Sequence, residues 1–132
     1  MQEFREALRK KVTDDSTVQG LISERFYPAS LATVADPVAP CANFYIPSGD
    51  QPVNTEKIQT VNFYLYIWSA EHYKQAYQVF EAIKDVLEFK PSSTSDIYFV
   101  CQMTMRPREE WDDINRWYYL VTNWTATCLK RT

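Results

Sequence analysis

Lys57-Ile58-Gln59-Thr60-Val61-Asn62-Phe63-Tyr64-Leu65-Tyr66-Ile67-Trp68-Ser69 alternates without a break. Val61, Phe63, Leu65 and Ile67 point one way; Asn62, Tyr64, Tyr66 and Trp68 point the other. A period of two is a β-strand with one aliphatic and one aromatic-polar face. At Ser69 the period changes. Tyr73, Ala76, Tyr77, Phe80, Ile83 and Leu87 then share a helical stripe, with Glu71, Lys74, Gln78, Glu81, Lys84, Asp85 and Glu88 mostly off it. Ser69 is the expected N-cap, with Glu71 in the first turn where a negative charge suits the helix dipole. A stripe that follows a face with almost no loop packs back on it, so Lys57 to Leu87 predicts a β-α core unit.

The composition bounds what can surround that unit. At 132 residues the chain reads as one domain, 1–132, and 45% hydrophobic content suffices for an ordinary core. Nine Tyr and four Trp carry polar handles that suit interfaces as well as cores. Two glycines in all argue against Gly-rich phosphate loops and against a sandwich of many tight hairpins. A formal net charge of -3 provides no broad basic field for phosphate backbones. Cys41, Cys101 and Cys128 are far apart and form no C-x-x-C pair, so they read as buried free thiols in a reducing compartment. No apolar run of spanning length and no signal peptide is apparent, which predicts a chain that is cytosolic when it folds and has no membrane partner.

Upstream, Phe4, Ala7, Leu8 and Val12 share one face of an amphipathic helix over Gln2 to Val12. Asp14, Asp15, Ser16 and Thr17 read as a break and a fresh N-cap, before one or two further turns through Val18, Leu21 and Ile22 interrupted at Gly20. Arg25-Phe26-Tyr27-Pro28 is a short extended piece, and Ala29 to Pro40 an ordered, proline-punctuated crossing. Cys41 to Ile46 resumes a strand, and Pro47 to Pro52 turns the chain back toward Lys57. A strand from Glu56 to Ser69 would be roughly 45 Å long. A domain of this size has a radius of gyration of only about 14 Å, so the Pro47–Asn54 turn is expected to project as a β-arm that needs a partner.

Downstream, Asp96 to Met105 alternates again, Arg106 to Asp113 breaks the pattern with dense charge around Trp111, and Asn115 to Leu129 forms a last long strand. The predicted fold class is α+β: an antiparallel sheet with an N-terminal and a central helix on one face, plus the projecting hairpin.

Chemistry finds little purchase. His72, the single histidine, has no serine or cysteine at a readable spacing. Glu109, Glu110, Asp112 and Asp113 could pair as acid and base or ligate a metal, yet Arg106, Arg108 and Arg116 flank them, which suits a self-neutralised loop or ion-pair interface better. Aromatic platforms for nucleobases normally come with a positive groove, and this chain is acidic. No catalytic residue, cofactor or metal is therefore expected.

Four features together resemble the small tail-terminator (tail-completion) proteins of long-tailed bacteriophages. They are the opening helix followed by Gln19-Gly20-Leu21-Ile22; the Arg25-Phe26-Tyr27-Pro28 segment; Val61 to Ser69 leading to Ala76-Tyr77-Gln78-Val79-Phe80-Glu81-Ala82-Ile83; and Asp112-Asp113 before Arg116-Trp117-Tyr118-Tyr119-Leu120-Val121. The resemblance implies a virion protein, assembled in the host cytoplasm, that forms a ring of usually six subunits. Such a ring caps the tail tube, stops its polymerisation and faces the head–tail connector. Its partners would be copies of itself, the tube protein and the connector or neck protein, with DNA passing through the lumen without specific binding. The proline-rich Leu31–Pro40 crossing and the unusually aromatic strands depart from that pattern and leave tube or connector open as the partner. The expected interface comprises Pro47, Asp50, Pro52 and Asn54 on the arm, and Arg106, Arg108, Glu109, Glu110, Trp111, Asp112 and Asp113 on the charged loop. A second reading is a small-ligand-binding α+β domain without catalytic activity, its aromatic faces lining a pocket.

Overall fold

The computed structural model describes residues 2–47, 58–94 and 96–130. Helix α1 spans Gln2–Thr13, and α2 spans Ser16–Ile22. The carboxylate of Asp15 caps α2 by accepting from the Thr17 and Val18 N–H groups at 3.1 Å each, and Lys10 draws Asp14 into an ion pair at 2.7 Å. The expected break and N-cap thus fall where the sequence puts them. Gly20 does not interrupt α2, because a single glycine costs a helix only about 1 kcal/mol.

Strands β1 (Phe26–Tyr27), β2 (Cys41–Tyr45), β3 (Ile58–Ser69), β4 (Ser92–Ser93), β5 (Ile97–Asp112) and β6 (Trp117–Lys130) form one sheet in the order β1-β2-β3-β6-β5-β4. All pairs are antiparallel except β1 with β2, which run parallel. This is the expected α+β class. Only the small β1 strip departs from the antiparallel description.

Helix α3 (Tyr73–Leu87) and α1 lie on one face of this sheet. The aliphatic side of β3 faces them: Val61, Phe63, Leu65 and Ile67 are buried together with Ala76, Val79, Phe80 and Ile83 of α3. Phe4 of α1 packs between Phe63 (5.9 Å between ring centroids) and Phe99 (5.5 Å, edge-on). Trp124 of β6 stacks on Phe63, and its buried indole N–H donates to Thr122 Oγ1 at 2.7 Å, which spares the core an unpaired donor.

Two boundaries differ from the sequence reading. The central helix begins at Tyr73, with His72 as its N-cap: Nδ1 of His72 accepts from the Gln75 N–H at 3.0 Å. Ser69 ends β3 instead, and its hydroxyl accepts from the Glu71 and His72 N–H groups, turning the chain before the helix starts. The second difference is larger. Arg106 to Asp112 is not a loop but the second half of β5, laddered to β6 up to Asp112↔Trp117, and the turn occupies 113–116. Dense charge is compatible with a strand here because this stretch lies at the sheet edge, where side chains reach water and charge discourages unwanted pairing. The arm tip with Asp50, Pro52 and Asn54 lies outside the described residues.

Candidate functional site

Because β3 alternates, burying its aliphatic face against α3 necessarily turns Tyr64, Tyr66 and Trp68 to the helix-free side. Register carries the pattern across the sheet. Tyr66 faces Val121 in pairing and Trp68 faces Tyr119, so Tyr119 joins the same face from β6. Trp68 and Tyr119 stack at 4.5 Å and 26°, Tyr66 lies 6.3 Å from both Trp68 and Tyr119, and Tyr64 and Trp117 extend the ladder at 6.4 and 6.3 Å. The result is a continuous aromatic tract that is only partly buried.

One wall stands over it. The Ala29–Pro40 crossing is held to the sheet by Asn43, which donates to the Ala29 carbonyl at 3.0 Å, and by Arg25, which donates to the Pro40 carbonyl at 3.0 Å. A short 3-10 turn at Leu31–Thr33, capped by Ser30, stiffens this wall. On the far side the 113–116 turn forms the other rim, where the Asp112 carboxylate accepts from the Ile114 and Asn115 N–H groups. Between them lies an open groove of about 750 Å³ with Tyr45, Tyr66 and Trp68 in its lining, Leu31 and Val34 on the wall, and Asp112 and Ile114 at the rim. Ile114 is 91% exposed, which is unusual for a large apolar side chain.

The predicted charged residues are close in sequence, but the strand divides them between two faces. Arg108, Glu110 and Asp112 pair with Val121, Tyr119 and Trp117, on the aromatic tract's side; Glu109 and Trp111 pair with Leu120 and Tyr118, on the helix side. Arg108 bonds Glu110 at 2.9 Å, so part of the charge is self-neutralised as expected. On the helix side, the Tyr77 hydroxyl donates to Glu109 Oε2 at 2.9 Å and the Tyr73 hydroxyl donates to the Glu110 carbonyl at 2.8 Å. Trp111 packs edge-on against Tyr118 and donates to Asp113 at 2.7 Å. Pro47 sits apart, beside Asn62, Tyr64 and Thr104.

Electrostatics follow the packing. Desolvation raises the Tyr66 pKa, and the neighbouring Tyr64 and Tyr119 hydroxyls add to it. Desolvation also raises Tyr77, reinforced by its bond to Glu109, and raises Tyr73, reinforced by Glu109 and Glu110. The three cysteines are buried free thiols; burial pushes Cys41 and Cys128 up to about 12, and Cys101 higher still. These are inert thiols. Among the described residues no group of three or more His, Cys, Asp and Glu is placed to hold a metal ion.

The second sequence reading expected aromatic faces to line a pocket; what it missed is what walls the groove. Its floor was legible as the aromatic face of β3, but its walls come from a proline-rich crossing and a hairpin turn far apart in the chain.

No family model matches this sequence, and no curated protein does. A solved structure is similar in fold: a chain of the virion of a native gene transfer agent particle, with a TM-score of 0.74 over 96% of this chain and 94% of that one, at 12% identity. The likeness is one of fold, and it extends over nearly the whole of both chains.

Proposed function

We propose that this chain is a non-enzymatic structural protein of a phage-like virion, a ring subunit that ends the tail tube and joins the tail to the neck. The observation that carries this reading is the end-to-end fold likeness to a chain of a gene transfer agent virion. Two surface features support self-assembly. The helix-free sheet face is an aromatic tract of the kind in which interfaces are enriched, and Met105, Trp111 and Ile114 leave apolar area exposed along the β5–β6 hairpin. The acidic balance of the chain suits a lumen through which DNA slides without being held. A ring of six, contacts with tube and connector proteins through the Pro47–Asn54 arm and the hairpin, and assembly in the host cytoplasm complete the proposal.

The open aromatic groove favours a second reading, a module that binds a small apolar ligand. Negative-stain imaging and mass measurement, alone and with purified tail tubes, separate the two. Rings or capped tube ends are the expected outcome. A protein that stays monomeric and ignores tube ends at all concentrations would falsify the ring proposal.

A further inference from the structure

We propose that the groove over Tyr66 and Trp68 receives the Arg106 side chain of a second copy of this chain. This rests on the self-assembling reading above and names the surfaces that meet.

The groove has the chemistry of a cation acceptor. Its lining contains no lysine or arginine, its floor presents Tyr45, Tyr66 and Trp68, and the Asp112 carboxylate stands at one rim. A guanidinium over an aromatic face, with a carboxylate at the edge, is attracted by both the ring quadrupoles and the charge. The cation that faces this floor from β5, Arg108, is already engaged with Glu110 at 2.9 Å.

Arg106 has the complementary placement. The β5–β6 ladder skips from Met105↔Asn123 to Arg108↔Val121, so Arg106 and Pro107 form a bulge. A bulge re-aims the side chains it carries. Arg106 is exposed, makes no ion pair with any described residue, and follows Met105, which is 52% exposed. The apolar Met105 and the cation beside it match the groove's apolar wall and its acidic rim at Asp112.

The two surfaces are also distinct. The groove's floor lies on β2 and β3, and Arg106, on β5, is not among the residues that line it. A contact between unlike surfaces is head-to-tail, and such contacts form a ring where the rotation between neighbours closes.

The test uses sedimentation velocity on the wild type, Arg106→Glu, Ala32→Arg (which places a guanidinium in the groove), and a 1:1 mixture of the two variants, with circular dichroism as a fold check. Each variant alone is expected to lose self-association at least tenfold relative to wild type. The mixture is expected to recover association, because one partner keeps the groove and the other keeps the arginine, and at the remaining contact the introduced carboxylate and guanidinium attract. Wild-type rings together with unimpaired rings of Arg106→Glu overturn this contact while leaving the ring reading standing. A wild type that never self-associates, in solution or on tube ends, overturns both.

Discussion

The indole N–H of Trp68 donates to Asn43 Oδ1 at 2.8 Å, while Asn43 Nδ2 donates to the Ala29 carbonyl. One side chain, 2% exposed, thereby joins the aromatic tract, strand β2 and the crossing segment. Removing it leaves two partly buried groups without these partners. Asn43→Ala is expected to cost about 2 kcal/mol in urea unfolding. Asn43→Asp, which keeps the acceptor for Trp68 but loses the donor to Ala29, should loosen the crossing and be cut faster by protease between Ala29 and Pro40.

At the head of α3, His72 does what Ser, Asp or Asn more commonly does at a cap. His72→Ala should destabilise the fold by about 1 kcal/mol, and His72→Asn should restore most of it. Ser69→Ala tests the other half of the turn, since its hydroxyl accepts from two backbone N–H groups. Chemical denaturation midpoints measure all three, and equal stability of the His72→Ala protein would remove the cap from the account.

Alkaline pH should unfold this protein progressively. The thiols of Cys41, Cys101 and Cys128 have pKa values raised above their ordinary 9.0, and Tyr66, Tyr73 and Tyr77 are raised above 10.0. A raised acid stays protonated in the fold while the unfolded chain ionises. The stability it contributes is therefore complete below the unfolded pKa and lost as pH climbs toward the folded one. Urea midpoints are expected to be flat below about pH 8, to fall from about pH 9, and to fall more steeply past 10. Replacing the three cysteines by alanine should flatten the first part of that decline and leave the second.

The proposed contact through the Pro47–Asn54 turn predicts an effect on assembly and none on the core. Replacing it with a short turn is expected to leave the thermal midpoint within a few degrees of wild type and to reduce ring or tube-end assembly, as seen by mass measurement. Assembly unchanged by the replacement would show that the arm is not part of the contact.

The fold was largely legible because local alternation carries its main message. Val61 to Ile67 and Tyr73 to Leu87 each show one apolar set. The strand set is buried as expected, and the helix buries Ala76, Phe80, Ile83 and Leu87 of its set, with Tyr73 and Tyr77 partly buried and Val79 and Ala82 added. The buried cysteines and the Asp15 cap were readable for the same reason: they follow from local chemistry. Arg106 to Asp112 was misread as a loop because charge density looks alike in a turn and on a sheet edge. Only the β6 ladder reveals which it is.

What the sequence determined by itself, then, is the set of elements and the face each would bury, since periodicity and capping depend on neighbours a few residues away. The groove is different. Tyr45, Trp68, Val34 and Asp112 are separated by up to 78 positions, since Val34 and Asp112 are 112 minus 34 apart, and no spacing links them. Tertiary structure alone decided that the crossing segment would wall an aromatic sheet face, because strand register and the bond from Asn43 to Ala29 set that distance, and both are long-range choices.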